Sequence, residues 1–452
     1  MKIYIYHTND IHSNFEFVAM VTSYLKANKT ESDLYLDSGD FNDLKDFIVQ
    51  ADRGKSALEL FSLTGIDLMT FGNNEIDLGK QSLIEIIESD FPIISANVVD
   101  EDKNELPGLD KYRIIEKNGV RFLIIGIAPY YDKDYIPGSY NSFFVLGNIL
   151  TVDPIVQVNE ILKEQKGNYD FSILLSHSGL RVDRMLKKHC PDIDLMLGGH
   201  THHVISDGNY SQSGRGQYLG RITLEIKDKE IEIVDNVQLE LTQKDPEFLE
   251  KLEEKKACSI DKLSKELSLL KELSFDPYSE CDLINFICDC LLHDFEADFA
   301  IMHHGIAEAS LTRPVSKMSL LELLPSKLNP TIYTLEGRNI AKAIWDSFDE
   351  SLITSSGFGA GFRGSVLGTL GYSYNVSVSF EAKKIWINGE LLEDSKEYRI
   401  VADDYLQRGT GYRSLWAPDK NAIYNGDFIR DLVEKHLMNK EVFDLLKIKR
   451  IL

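Results

Sequence analysis

The sequence predicts an α/β chain built from two parts. Three observations carry that expectation. Segments with the two-residue period of a strand alternate with segments at helical spacing over residues 1–240. A stretch rich in Glu, Lys and Leu and free of Gly, residues 245–272, follows. A second region then mixes both periods again to the C-terminus. The expected division is a first domain over 1–240, a helical connector over 241–273 and a second domain over 274–452.

Each element has its reason. Residues 2–7 alternate apolar and polar side chains and read as a strand. Phe15, Val18, Val21 and Leu25 share one helical face, so 15–27 reads as a helix. Residues 33–37, 67–71, 92–96, 170–175 and 194–197 are short apolar strands, and helices over 56–63, 82–88, 153–163 and 181–188 fall between or beside them. The unbroken apolar run over 120–127 is the pattern of a strand buried on both faces. Residues 221–227 and 230–234 form a hairpin around Asp228-Lys229. Asp245-Pro246 opens the connector helix, whose charges read as a solvated face. Beyond it, helices over 280–293, 319–324 and 339–348 and strands over 331–335, 384–387 and 398–401 surround a Gly-rich piece, 357–371.

Composition sets outer limits. The chain has 452 residues, 43% hydrophobic and 27% charged, enough to bury a core in each part. Lys and Arg number 49 against 72 Asp and Glu, a formal charge of −23. A nucleic-acid polymer or an anionic membrane is therefore a poor partner. No stretch reaches the ~18 apolar residues of a membrane span, and the apolar run in Ile3-Tyr4-Ile5-Tyr6 is too short for a secretion signal. Cys190, Cys258, Cys281, Cys288 and Cys290 lack disulfide-like spacing, and Cys288-Asp289-Cys290 falls on an expected helix. They read as reduced thiols, and the expected location is cytoplasmic.

Metal-capable side chains gather in loops that each follow an expected strand: Asp10-Ile11-His12, Gly39-Asp40, Gly72-Asn73-Asn74-Glu75, His177, and Gly198-Gly199-His200-Thr201-His202. In a sheet with helical crossovers, loops at the carboxyl ends of strands collect in one crevice, so residues far apart in sequence can meet. Asp, His and Asn offer hard oxygens and borderline nitrogens without a thiolate, a set that suits Mn²⁺, Zn²⁺ or Fe. The D-x-H pair puts two side chains on one side of an extended segment. The glycine before Asp40 lets the backbone turn so that the carboxylate faces a metal. These donors exceed what one tetrahedral ion takes and fit two ions sharing a bridging carboxylate. A lone D-x-H, Gly-Asp or histidine is usually surface or structural; the weight lies in the joint order of the loops.

These residues resemble the calcineurin-like metallophosphoesterase superfamily, and Thr8-Asn9-Asp10-Ile11-His12-Ser13 is similar to its 5′-nucleotidase branch. The resemblance covers nearly the whole chain. It implies a four-layer αββα first domain joined by a helix to a smaller α/β C-terminal domain that selects the substrate. It also implies two divalent ions, Mn²⁺ or Zn²⁺. Asp10, His12, Asp40 and His202 would hold one; Asp40, Asn73, His177 and His200 would hold the other, with Asp40 bridging. His203 lies outside the pattern. The implied reaction is hydrolysis of a small-molecule phosphate ester by a water activated between two metals. 5′-Nucleotides lead as substrates, with UDP-sugars and 2′,3′-cyclic nucleotides in the same class.

One departure bears on rate. Family members read G-N-H-E or G-N-H-D where this chain has Gly72-Asn73-Asn74-Glu75. Asn74 takes the histidine's place and Asp77 is the paired acid, so these are the candidate catalytic residues. An amide donates a hydrogen bond but carries no proton for a leaving group, and a lost general acid costs ~10²–10⁴-fold in rate. The expectation is a slower hydrolase; the alternative is a metal-binding nucleotide sensor with weak or lost catalysis. In the second domain the resemblance assigns base stacking to Phe362 and to Tyr405, with Tyr412 as substitute, and a phosphate grip to Arg363 and Arg408. The family's G-G-D-G reads Gly409-Thr410-Gly411 here. Its N-G-G-x-x-R stretch reads Met302-His303-His304-Gly305-Ile306-Ala307, which makes His303 and His304 pocket candidates.

Overall fold

Ile3 and Ile5 on one side and Tyr4 and Tyr6 on the other give the first strand two faces to bury, and the computed structural model supplies a partner for each. It describes residues 1–130, 140–228, 230–359 and 361–452. The chain divides into two units, Met1–Ser259 and Ile260–Leu452, each described by itself.

The strands of the first unit are β1 Lys2–Thr8, β2 Leu34–Asp37, β3 Leu68–Thr70, β4 Ile93–Ile94, β5 Val98–Asp100, β6 Tyr112–Lys117, β7 Val120–Ile127, β8 Ile149–Thr151, β9 Phe171–Ser176, β10 Leu195–Gly198, β11 Val204–Asp207, β12 Tyr210–Ser213, β13 Leu219–Lys227 and β14 Glu230–Leu239. They form two six-stranded sheets, ordered β14-β13-β1-β2-β3-β4 and β11-β12-β10-β9-β7-β6, while β5 and β8 pair separately. The hairpin expected around Asp228 is β13–β14; Lys229 lies outside the described residues.

Ile3, Ile5, Leu34, Leu36 and Leu68 of the first sheet share one buried cluster with Phe122, Ile124, Ile173, Leu175 and Leu197 of the second. The sheets therefore pack face to face, and each such side chain contributes roughly 1.5–3 kcal/mol by leaving water. Helices cover the outer faces. Tyr24 of the helix Phe15–Asn28 meets Tyr6 edge-on at 6.0 Å, and Phe61 of the helix Lys55–Ser62 meets Tyr35 at 6.2 Å. Val158, Ile161, Val182 and Leu186, from the helices Pro154–Glu164 and Leu180–His189, pack on Leu123, Ile125 and Leu174. The result is the four-layer αββα arrangement. What positions the site is strand direction: β1, β2 and β3 are parallel neighbours in one sheet, and β9 and β10 in the other.

The second unit continues with β15 Glu266–Leu267, β16 Phe299–His303, β17 Val315–Ser316, β18 Pro330–Glu336, β19 Leu370–Tyr372, β20 Val376–Ser379, β21 Lys384–Ile387, β22 Glu390–Leu391, β23 Glu397–Asp403 and β24 Ile423–Tyr424. Its main sheet runs β19-β16-β23-β18-β24. The helix Asp282–Asp294 buries Cys288 and Cys290, and its Asp289 carboxylate pairs at 2.5 Å with Arg450, itself buried. Among the described residues no helix is long and apolar enough to cross a membrane.

The connector differs from expectation. The helix covers Pro246–Leu263 only, and the boundary between units falls inside it. Its first turns belong to the first unit: Phe248 and Leu252 are buried, and Lys26 pairs with Asp245 at 3.0 Å and Glu247 at 2.8 Å. Beyond Leu263 the chain extends because β15 pairs with β17 and Leu269 and Leu273 enter the second core. Pairing and burial override the helical propensity of this stretch.

One side chain joins the two sheets of the first unit. His7 on β1 is fully buried; its Nε2 lies 2.8 Å from Ser211 Oγ and its Nδ1 3.3 Å from Ser213 Oγ, both on β12. Gly220, its neighbour on β13, makes room: a Cβ there would fall 2.0 Å from His7 Nε2. Burial pushes the imidazole down to about 3. The folded value lies below the ordinary ~6.5, so this contribution is complete above that pH and is lost as pH falls toward 3, by up to ~1.4 kcal/mol per pH unit. Urea unfolding of His7→Gln between pH 6 and 4 is expected to show a slope of stability against pH shallower by about that amount. Equal slopes for variant and parent would remove His7 as the cause.

Candidate metal centre

The candidate loops begin where β1, β2, β3, β9 and β10 end, and their backbones are unusual. Asp10, His12, Asp40, His200 and His202 all adopt left-handed conformations, with φ of 49°, 48°, 56°, 72° and 55°. Outside glycine this costs ~1–3 kcal/mol per residue and persists where the surroundings enforce it. Cross-loop hydrogen bonds do so here: Asp10 N–H donates to Gly39 O at 2.9 Å and His12 N–H to Asp40 O at 3.0 Å. Gly72 is required by contact, since a Cβ there would lie 2.1 Å from Asp40 Oδ1.

Glu75 closes the arrangement. Fully buried, it accepts from the backbone N–H groups of Gly72 (2.9 Å), Asp40 (3.0 Å) and Asn42 (2.9 Å). Two loops from different strands are thus clasped by one carboxylate. Burial, and then the Asp40 charge, push Glu75 up to about 7.

The side chains converge on Asp10 and Asp40. Asp10 Oδ1 lies 3.7 Å from His12 Nε2, 3.3 Å from His202 Nε2 and 3.7 Å from His177 Nε2. Asp40 Oδ2 lies 3.3 Å from His177 Nε2 and 3.9 Å from His12 Nε2. His177 Nδ1 donates to Ser38 O at 2.6 Å, which aims Nε2 inward. His200 Nδ1 lies 3.1 Å from Asn73 Oδ1. Asp10 Oδ2 accepts from His200 N–H and from the Asn9 amide, leaving Oδ1 free to face the imidazoles.

Charge follows from that geometry. Burial alone would raise Asp10 and Asp40, but the adjacent His177 charge outweighs it and holds both below the usual carboxylate range, with help at Asp10 from nearby His202. Burial alone would lower His177; Asp40 and Asp10 push it up to about 10 instead. His200 goes the other way, down to about 4, through burial and the His177 charge.

The donors fit divalent ions. Asp10 Oδ1 and His177 Nε2 are buried without a hydrogen-bond partner among the described residues although they face one another, the arrangement of atoms that share a cation. Asp10–His12–His202 and Asp10–Asp40–His177 each bring three ligand atoms within 4.8 Å of one another. Asn74 lies against the same cluster, with Nδ2 3.1 Å from Asp40 Oδ2 and 3.1 Å from His12 Nδ1. Asp77 stands half-buried at the C-cap of the short helix Asn73–Ile76. His203 is exposed, outside the cluster.

A third His/Asp group, His293–Asp294–His436, sits in the second unit. There Lys435 Nζ approaches Asp294 to 2.7 Å, and the Asn439 amide donates to His436 Nδ1 at 2.9 Å, directing the Nε2 hydrogen toward Asp294. The Lys435 ammonium and the His436 N–H offset a carboxylate placed at a helix C-terminus, where negative charge is disfavoured.

The second-unit candidates are buried against one another. Phe362 and Tyr405 stack at 4.9 Å, and His303 joins them at 5.5 Å and 5.0 Å. His303 Nε2 is 3.0 Å from Asp403 Oδ2, and His304 Nδ1 is 2.6 Å from Asp276 O. Tyr412 donates to Gly368 O at 2.8 Å. Arg408 pairs with Asp404 at 2.9 Å, and Arg363 Nη1 donates to Phe362 O at 2.8 Å.

Three contributors escaped the sequence reading. Asn9 and Glu75 lie inside the quoted motifs, yet nothing in those strings says they tie loops together. Tyr140, whose hydroxyl is 2.7 Å from His200 Nε2, comes from a segment without any motif. Glu75→Ala would leave three backbone donors unpaired at ~1–3 kcal/mol each. It is expected to lower stability by ~3 kcal/mol or more and to reduce Mn²⁺ uptake by equilibrium dialysis. An unchanged denaturation midpoint would refute the clasp.

Comparison with known proteins places this geometry. The model for calcineurin-like phosphoesterases matches residues 3–204, and that for the 5′-nucleotidase C-terminal domain matches residues 264–415. The chain is 28% identical over 470 aligned positions to YunD of Bacillus subtilis, an uncharacterised metallophosphoesterase, covering 96% of this chain and 98% of that one. It is 23% identical to the trifunctional nucleotide phosphoesterase YfkN of the same organism, covering 75% of this chain but only 27% of YfkN. In structure it resembles a 5′-nucleotidase precursor from Thermus thermophilus, with a TM-score of 0.58 at 18% identity, over 100% of this chain and 97% of that one. The chain belongs to the calcineurin-like phosphoesterases that carry a 5′-nucleotidase C-terminal domain, a family of metal-dependent phosphate ester hydrolases.

Proposed function

We propose that this hydrolase acts on small phosphate esters of the 5′-nucleotide class, with UDP-sugars and 2′,3′-cyclic nucleotides as related candidates. Two ions of the Mn²⁺ or Zn²⁺ type would be held by Asp10, His12, Asp40 and His202 and by Asp40, Asn73, His177 and His200, with Asp40 shared. The observation that carries this is the convergence of five strand-end loops on Asp10 Oδ1 and His177 Nε2, buried atoms that no group among the described residues satisfies. When bound, the ions supply Lewis acidity toward phosphoryl oxygens and lower the pKa of water.

The chain's own groups orient this centre. His177, held by Ser38 O, and His200, held between Asn73 and Tyr140, each present one nitrogen inward. Asn74 steadies Asp40 and His12 together. Its amide has no proton to give, so a leaving alkoxide must be stable by itself or take its proton from elsewhere. The complete donor set supports hydrolysis over a binding-only role.

The nucleotide class is supported by the C-terminal domain match and by the names of the relatives. Phe362 and Tyr405 are the stacking candidates. A base needs van der Waals gaps of ~3.5 Å on each side, so ring planes must stand ~7 Å apart to admit one. With centroids 4.9 Å apart, the two rings must part to receive it. Free thiols at all cysteines, four of them buried, support work in a reducing compartment such as the cytoplasm.

The test is phosphate release from AMP, UDP-glucose, 2′,3′-cyclic AMP and bis-p-nitrophenyl phosphate with added Mn²⁺. Turnover of at least one nucleotide is expected, with a loss of more than ~100-fold in Asp40→Ala; no release from any nucleotide would overturn the assignment. On the same panel Asn74→His is expected to raise kcat on AMP by ~10²-fold or more and kcat on bis-p-nitrophenyl phosphate, whose leaving group needs no proton, far less. An equal change on both substrates would show that position 74 does not govern protonation.

A further inference from the structure

Every inward-facing imidazole of the cluster needs something behind it, and the one behind His200 comes from outside the family's motifs. His200 sits on a left-handed backbone at the end of β10, with Nδ1 3.1 Å from Asn73 Oδ1 and its ring edge-on to His177 at 5.3 Å. The Asn73 contact is made on the inner side, where a cation would take the same Nδ1 and Oδ1 atoms. The outer nitrogen, Nε2, meets the Tyr140 hydroxyl at 2.7 Å.

We propose that Tyr140 is a positioning residue for the metal centre, fixing the His200 ring so that Nδ1 and Asn73 Oδ1 converge on one ion. This rests on His200 being a ligand, as proposed above.

The geometry supports it in three ways. First, a phenol can either donate or accept. It donates to Nε2 when Nδ1 carries the ring hydrogen toward Asn73, and it accepts from Nε2–H when the Nδ1 lone pair is given to a cation. The same 2.7 Å contact therefore serves the protein before and after metal uptake. Second, a phenol is neutral. A carboxylate, the commoner partner of a metal-bound histidine, would set another negative charge beside Asp10 and Asp40, which are already buried together. Third, Tyr140 is held by packing and backbone contacts. It precedes the helix Asn141–Phe144, its carbonyl accepts from Phe143 and Phe144 N–H at 2.9 and 3.0 Å, and its ring stacks on the buried Phe144 at 5.5 Å and 20°. Asn141 clamps this turn to β8 through Thr151 N–H at 2.8 Å and Thr151 O at 3.0 Å. The hydroxyl is thus placed by packing rather than by a flexible stem.

Tyr140→Phe keeps the ring on Phe144 and removes only the hydroxyl. Mn²⁺ titration of the full chain, followed by electron paramagnetic resonance, is expected to show two equivalents. In the variant one of them should bind ~10–100-fold more weakly, the range measured when a partner behind a metal ligand is lost, while the other is unchanged. Phosphate release should recover at high Mn²⁺. Two unchanged equivalents in the variant would overturn the proposal. So would equal weakening of both together with a lower unfolding temperature, because that is the signature of a general structural role. If the parent chain takes up no Mn²⁺ or Zn²⁺, the metal-centre assignment itself fails, whatever the variant does.

Discussion

Burying Asp10 and Asp40 side by side is the constraint around which the first unit is organised. Each ion loses several kcal/mol of solvation on burial, and the two repel one another. The structure answers with positive charge and donors from every side. His177 is pushed up by the two carboxylates it faces, the Asn74 backbone and side-chain N–H groups serve Asp40, and the His200 N–H and Asn9 amide serve Asp10. These groups come from five separate strand ends. They reach one place only because β1–β3 and β9–β10 lie in sheets that pack face to face, and because five side-chain-bearing residues accept left-handed backbones.

Most of the first unit was legible in the sequence for a simple reason. Its strands are short, apolar and fully buried, and its loops carry uncommon residue types at strand ends, so periodicity and chemistry pointed the same way. The run 120–127 coincides with β7 to the residue. What was not legible is contact across sequence distance. β6, with exposed and apolar residues mixed, has no clear period and is held as a partner of β7. β16, the strand that carries His303, hides among apolar residues that would suit either a helix or a strand. The stretch after Leu263 has helical composition but is drawn out by pairing with β17. Glu75 and Tyr140 act through loops and rings that no local pattern announces.

The second unit shows why a family motif does not by itself settle a pocket. Where the family's stretch reads N-G-G-x-x-R, this chain has Met302-His303-His304-Gly305-Ile306-Ala307. The replacement is accommodated by a buried His303–Asp403 pair on adjacent strands β16 and β23, and by three rings packed on one another. Both arginine candidates are engaged locally, Arg408 by Asp404 and Arg363 by its own backbone neighbour. An arginine held by a carboxylate has less net charge to offer a phosphate.

Asn74 belongs to the same balance of charge around Asp40. An imidazole there would stand within reach of Asp40 and His12, adding a titratable group to a cluster that already balances two carboxylates against several histidines. The amide removes that group while keeping a hydrogen bond to each neighbour. Under the proposed role of position 74, what is given up is a proton for the departing oxygen, and the size of that loss depends on how badly the leaving group needs it. A stable alkoxide loses little, a ribose oxygen loses much. On the proposed function the substitution would act less as a uniform brake than as a filter among phosphate esters, set by the chemistry of the leaving group rather than by the fit of the base.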